Sequence, residues 1–208
     1  LGLISLPVIT WFFSQEDVGR MSMLQVTLGF SILLFSLGLD QSYVREFHEA
    51  ERKPALLKQA MLPGLVLLFS TVLVLLSLGG TMAGWLFDVP SWHLSALVAL
   101  ALLASFISRF LSLVLLMGER GLAFSMSQLL SKFLLLVIIS AYIAVGATKS
   151  LTNLILANTA AITFVCAIFG WNTRAELLAG VRAKLDIEQL KKMLRFGLPL
   201  ILGGLAFW

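Results

Sequence analysis

A single cysteine, Cys166, leaves no possibility of an intrachain disulfide, and its place in an apolar run marks it as a small core residue. Charge is scarce too: Asp, Glu, Lys and Arg make up 12% of the 208 residues, against 59% that are hydrophobic. Such a chain has too little polar surface to coat a soluble globule. It also lacks metal-ligand spacing, a glycine-rich phosphate loop and any nucleophile constellation, so neither a metal nor a cofactor is expected. Large polar loops bearing carboxylates or histidines for acid/base work are missing as well. The stretches "GGTMAGWLFDVPSW" and "GATKS" are small and bare, which counts against a membrane glycosyltransferase or polymerase.

What the chain does have is long apolar runs: Met21 to Leu39, Gln59 to Leu78, Trp92 to Met117, Leu122 to Val145 and Leu151 to Gly170. Runs of about 20 residues, rising about 1.5 Å per residue, cover the roughly 30 Å hydrocarbon layer as helices that satisfy their own backbone groups. The expected fold is therefore an all-α polytopic membrane protein. Basic residues fall into every second gap. Arg45, Arg52, Lys53 and Lys58 fill one gap, Arg120 another, and Arg174, Arg182, Lys184, Lys191, Lys192 and Arg195 a third, while the intervening gaps hold Arg20 and Lys149. Lys and Arg near span ends stay on the cytoplasmic side, so the rich gaps face in and the poor gaps face out, as in a bacterial inner-membrane protein. The net charge of +4 then argues for anionic lipid headgroups as neighbours, with no nucleic acid.

The ends suggest a piece of something larger. Leu1 to Phe13 is apolar from its first residue and too short to span, and "FGLPLILGGLAFW" stops inside an apolar run at Trp208. Two stretches depart from simple spans. "SQEDVGR" reads as a short outer loop with Glu16 and Asp17 at a helix start. In "DIEQLKKMLRFG", Asp186 is an N-cap with Gln189 three residues on, and Ile187, Leu190 and Leu194 share one side, which predicts a helix along the cytoplasmic surface. Gly197 and Pro199 would then mark a turn into a last span. The expected organisation is a first transmembrane lobe over residues 1–171, a cytoplasmic linker over 172–195 and the start of a second lobe over 196–208.

Charges inside the membrane are costly and persist where partners or function hold them. Arg109 and Lys132 lie in consecutive antiparallel runs joined by "GERG", about 10 and about 12 residues from the turn centre, so both sit roughly 15 to 19 Å deep. No Asp or Glu lies at that level in either run, and the polar neighbours are Ser105, Ser108, Ser112, Gln128 and Ser131. Ser105, Ser108, Arg109 and Ser112 share one helix face. Two readings stand side by side. A cation pair without an internal counter-ion suits an anionic guest in a wet cavity. Alternatively the hairpin projects beyond the bilayer or the cations snorkel, and Phe110 to Met117 merely pack its two helices together.

At the inner end of the second run, "SLGLDQSYVREFHEAER" gathers Asp40, Gln41, Tyr43, Arg45, Glu46, His48, Glu49, Glu51 and Arg52, as a solvated loop or as a gate or headgroup contact. Asp40 abuts an apolar run, whereas Glu119 sits in a tight turn beside Arg120, so Asp40 is the better candidate for proton or sodium coupling. His48 is read as a loop residue, His93 beside Trp92 as part of an interfacial anchor, and Asp88 as part of the same outer rim.

The run "LISLPVITWFFSQEDVGRMSMLQVTLGFSILLFSLGLDQSYVREFHEAER" resembles the amino-terminal signature of the Wzx-like oligosaccharide flippases, the polysaccharide biosynthesis proteins of the multidrug/oligosaccharidyl-lipid/polysaccharide exporter superfamily. Its marks are an apolar run ending in Pro-x-x-Thr, the acidic-Gly loop "SQEDVGR" and "LGLDQSYVR" at the close of the second span. "MLRFGLPLILGGLAFW" is similar to the opening of that family's seventh span. The resemblance implies an alternating-access transporter of two six-helix lobes, of which this chain is the first lobe plus the start of a seventh helix. It implies translocation of an undecaprenyl-pyrophosphate-linked oligosaccharide (an O-antigen, capsule or exopolysaccharide unit), with the polysaccharide polymerase and chain-length machinery as partners. The family's cationic cavity agrees with the reading of Arg109 and Lys132, with Gln128, Ser108 and Ser112 beside them, and Arg45 matches the pattern at the cytoplasmic entrance. Sugar contacts would fall to neutral groups such as Tyr142, Asn153 and Asn158. A multidrug/cation antiporter of the same superfamily would share the layout but ordinarily needs a buried acidic residue, which the complete spans lack.

Overall fold

The computed structural model describes residues 2–50, 53–146 and 148–206. Glu51, Arg52 and Trp208, invoked above, lie outside the described residues, as do Leu1, Ala147 and Phe207. The described chain is helical, in the order α1 (Gly2–Phe12), α2 (Gln15–Phe35), α3 (Leu39–Glu46), α4 (Lys53–Ser77), α5 (Thr81–Phe87), α6 (Trp92–Met117), α7 (Gly121–Val145), α8 (Leu151–Asn172), α9 (Arg174–Arg182) and α10 (Ile187–Ala206). Five of these, α2, α4, α6, α7 and α8, are long and apolar enough to cross a membrane. With 11 residues, α1 reaches about 16 Å, short of a crossing.

The three long helices that begin on the outer side start alike. Ser14, Ser91 and Ser150 accept hydrogen bonds from the backbone N–H of Asp17, Leu94 and Asn153 at 3.1, 3.4 and 3.3 Å, which satisfies amides a helix start leaves free. "SQEDVGR" is accordingly not a loop beyond its first residue: α2 starts at Gln15, and Glu16 and Asp17 stand in its first turn.

The central helix is α6, buried along most of its length against α2, α4, α5, α7 and α8. Ala99, Ala101 and Ala104 on α6 and Ala157 and Ala161 on α8 are all buried, and such small side chains let helix backbones approach closely where lipid offers no hydrophobic drive to pack. Leu122, Met126, Leu129, Phe133 and Val137 of α7 are exposed on the outside of the bundle, as lipid-facing residues should be. At the inner rim Trp171 is exposed with the Arg174 guanidinium 4.5 Å over its ring, and at the outer rim His93 stands edge-on to Trp92.

Two expectations are corrected. The second run does not continue to Leu39 as one helix: α2 stops at Phe35, Leu37 and Gly38 take left-handed φ of 53° and 65°, and α3 starts afresh at Leu39. Nor is there a turn at Gly197 and Pro199. Asp186 does cap α10, accepting from Glu188 and Gln189 N–H at 3.0 and 3.2 Å, but the helix then runs unbroken to Ala206. Proline removes one helical hydrogen bond without forcing a stop, and Gly197 is used for close approach instead. A Cβ there would lie 2.6 Å from the Leu37 carbonyl oxygen and 2.8 Å from the Gly38 carbonyl carbon. The two features are thus one contact, the break in α2–α3 nested against the bare face of α10. Around it Ser42 Oγ donates to the Met193 carbonyl at 2.9 Å, Lys192 pairs with Glu46 at 3.5 Å and the Arg45 guanidinium lies 4.2 Å over Phe196.

Candidate functional site

Residues of α2, α3, α6, α7, α8 and α10 line an open cavity of about 860 Å³. The polar face foreseen on α6 forms one wall, with Ser105, Ser108, Arg109 and Ser112, and α7 supplies Ser127, Gln128, Ser131 and Lys132. Arg109 and Lys132 therefore open on a common space, as the cavity alternative requires. Phe110, Leu111 and Leu113 to Leu115 are buried in the body of the protein, so they do more than hold a projecting hairpin together.

The expectation of a cation pair without a counter-ion is corrected. Arg109 Nη2 donates to Asp40 Oδ2 at 2.9 Å, with the Asp40 side chain 11% exposed and that of Arg109 35%. The carboxylate comes from neither α6 nor α7; it is the second residue of α3, turned into the cavity by the break at Leu37 and Gly38. Pairing of this kind lowers the cost of holding both charges at membrane depth. Lys132 is exposed to the cavity, and no described carboxylate pairs with it. The cavity wall thus carries two cations against one carboxylate.

The serines contribute less donor capacity than their number suggests. Ser105, Ser112 and Ser127 donate back to the carbonyls of Leu102, Arg109 and Phe124 at 3.0, 2.7 and 2.6 Å, which leaves their lone pairs, not their protons, facing the cavity. Ser108 Oγ is buried, turned to the Cys166 thiol. Around Arg109 the donors for an anion therefore include Arg109 itself, Lys132 and the Gln128 amide one turn before Lys132.

Arg45 does not line this cavity. It is exposed one turn beyond Gln41, which does, and it stacks on Phe196. Of the neutral candidates, Asn153 is committed to Thr148, donating to its carbonyl at 2.8 Å, and Tyr142 is not on the wall. Asn158 accepts from Gln25 Nε2 at 3.0 Å, and Gln25 lines the cavity. Gln25 went unremarked in the sequence, although an amide inside the apolar run Met21 to Leu39 was a visible signal. A second, smaller cleft of about 350 Å³ holds Tyr43, His48, Lys53, Glu119 and Glu176. Burial, and secondarily the negative charge of Glu176, pushes the Tyr43 phenol up to about 12, so it remains neutral at physiological pH.

A helical bundle with five helices able to cross a membrane, built around a charged polar cavity, defines a multi-pass membrane protein. The chain matches the polysaccharide biosynthesis protein family over residues 1–207 and belongs to it. Its place is with the Wzx-like oligosaccharide flippases of the inner membrane, and what it does is translocate a polysaccharide-related substrate, as a transporter and not as an enzyme. No curated protein and no solved structure matches it.

Proposed function

We propose that the substrate is an undecaprenyl-pyrophosphate-linked oligosaccharide, moved from the cytoplasmic to the periplasmic leaflet with its pyrophosphate held by Arg109 and Lys132. The observation that carries this is the opening of both cations onto one cavity in which a single carboxylate, Asp40, opposes them. Asp40 pairs with Arg109. An arriving pyrophosphate competes for the same guanidinium, which can grip it bidentately, while Lys132 adds a point charge and Gln128 a neutral donor. Ser108 and Ser112 shape the wall beside Arg109. Displaced from Arg109, Asp40 becomes the group available to a coupling proton or sodium ion. Arg45 stands one turn outside the cavity at the cytoplasmic entrance and meets the headgroup first.

In the same reading, residues 1–171 form a six-helix lobe of an alternating-access transporter, residues 172–195 link it to its counterpart, and the part of α10 from residue 196 onward opens the second lobe as a seventh helix. The lipid tail stays in the bilayer while the lobes rock, and the product is handed to the polysaccharide polymerase and chain-length machinery. The test is rescue of surface polysaccharide in a bacterial strain lacking its own flippase. Rescue by the wild type and its loss in Arg109→Ala and Lys132→Ala, at normal membrane levels, is expected; normal rescue by both variants removes the assignment. One observation favours a second reading, a cation antiporter: Asp40 is buried and faces the cavity, supplying the acidic group the complete spans lack. Efflux of cationic dyes abolished by Asp40→Asn, with no rescue in any glycan background, would decide for it.

A further inference from the structure

We propose that Gln25, held in place by Asn158, is the subsite that binds the neutral, hydroxylated part of the cargo, at the end of the cavity remote from the Arg109–Asp40 pair. The inference rests on the glycolipid reading above and assigns that cavity its second end. Along α2 the wall consists of Gln25, Leu28, Gly29, Ile32 and Leu33, a stripe at helical spacing that leads to Ser36 and then Asp40. Thr159, next to Asn158, donates to the Leu97 carbonyl of α6, 12 residues before Arg109 and roughly 18 Å from it along that helix. The cavity is therefore charged at its inner end, apolar along its middle and neutral but polar at its outer end.

The geometry of the amide pair argues for more than fastening two helices. Gln25 Nε2 donates to Asn158 Oδ1 at 3.0 Å, while Asn158 Nδ2 is buried and makes no hydrogen bond. Two amides whose purpose was to join α2 to α8 would pair reciprocally and spend both N–H groups. Here Asn158, 4% exposed, gives only its oxygen, and Gln25 is left exposed on the cavity wall with an oxygen and a second N–H to offer. An amide presents one acceptor and one donor side by side, the complement of a hydroxyl group. It carries no charge, so a pyrophosphate gains more at Arg109 and Lys132, and the two ends sort the two parts of a glycolipid. Gly29, one turn from Gln25, adds no side chain to the wall at this level. Asn158 is a positioning residue: it acts through Gln25.

The test measures binding by the full chain in lipid nanodiscs of two probes, a sugar-free isoprenyl pyrophosphate and the same lipid carrying an oligosaccharide. Gln25→Leu should weaken the glycosylated probe about tenfold or more, since a site built to hydrogen-bond a hydroxyl discriminates strongly once the bond is lost, and leave the sugar-free probe within about twofold. Asn158→Leu should do the same more weakly, and Asn158→Asp, which keeps the acceptor for Gln25 N–H, should restore the glycosylated probe. Equal losses for both probes, or none, overturn the subsite and leave a helix-fastening bond. Arg109→Gln separates the two ideas: it must weaken both probes if the headgroup reading holds. If it weakens neither while Gln25→Leu remains selective, the headgroup assignment fails and the glycan subsite stands. If the wild type binds neither probe, both fall.

Discussion

Asp40 and Arg109, 69 positions apart in the chain, meet at 2.9 Å inside the cavity and tie α3 to α6. The bond makes each residue the cost-bearer of the other's removal. Arg109→Ala leaves a nearly buried carboxylate without its cation, and Asp40→Asn leaves a guanidinium that is still one-third open to the cavity. We expect the first to lower stability by about 1–2 kcal/mol, less than for a fully buried pair because Arg109 is partly solvated, and the second by less than that. The double variant Asp40→Asn/Arg109→Ala should lose less stability than the two single losses added together, without regaining transport. Thermal unfolding in detergent beside the complementation assay checks this; additive stability losses would show that the two side chains do not interact.

The two cations should respond differently to exchange. Arg109 meets Asp40 through one guanidinium nitrogen and has the planar fork that grips a pyrophosphate, so Arg109→Lys shortens and narrows its reach. Lys132 acts as a point charge without a described ion-pair partner, so Lys132→Arg preserves what it supplies. Transport should fall about tenfold or more for Arg109→Lys and less than about threefold for Lys132→Arg. Equal losses would remove the division of roles.

The contact between the α2–α3 break and α10 predicts a sharp contrast among glycines. Gly197→Ala drives a methyl group to 2.6 Å from the Leu37 carbonyl oxygen, and Gly64→Ala sets one against the Phe35 carbonyl and 2.8 Å from the Phe106 ring. The Gly197 and Phe35 contacts are with backbone that has little freedom to yield, so each variant should lose about 1–3 kcal/mol. At Gly203 nothing lies within 4 Å, and Ala there should be neutral or stabilising by up to about 1 kcal/mol from helix propensity. Midpoint temperatures of the three variants in detergent decide it, and similar behaviour at Gly197 and Gly203 would refute the close approach.

These particulars mark where the sequence could be read and where it could not. The spans were legible because apolar runs of membrane length admit few alternatives, and the α6 face because Ser105, Ser108, Arg109 and Ser112 repeat at helical spacing. The partner of Arg109 was not legible, because Asp40 reaches the cavity only through the left-handed backbone at Leu37 and Gly38, and "SLGL" reads equally well as continuing helix. Gly197 and Pro199 suggested a turn because both residues commonly end helices. Whether a glycine breaks a helix or admits a neighbour depends on what packs against it, and here that neighbour lies some 160 positions earlier. Gln25 was passed over for a related reason: a lone amide in an apolar run gains meaning only once Asn158 is seen beside it.

Tyr43 gives a pH-dependent prediction whose sign is fixed by its surroundings. Its phenol ionises at about 12 in the folded protein against 10.0 for an unhindered tyrosine, because burial and the nearby Glu176 both disfavour the phenolate. Below pH 10 both folded and unfolded chains keep the proton, and the group leaves stability unchanged. Between pH 10 and 12 the unfolded chain releases it while the folded chain does not, so stability falls as pH rises through that window, by on the order of 2 kcal/mol in total. Tyr43→Phe removes this dependence, and the difference between the two proteins isolates the contribution of that one phenol. Phenolate absorbance should show a late-ionising group in the wild type that is gone in Tyr43→Phe. If stability falls equally steeply in both proteins between pH 10 and 12, Tyr43 is not held neutral by the cleft it faces.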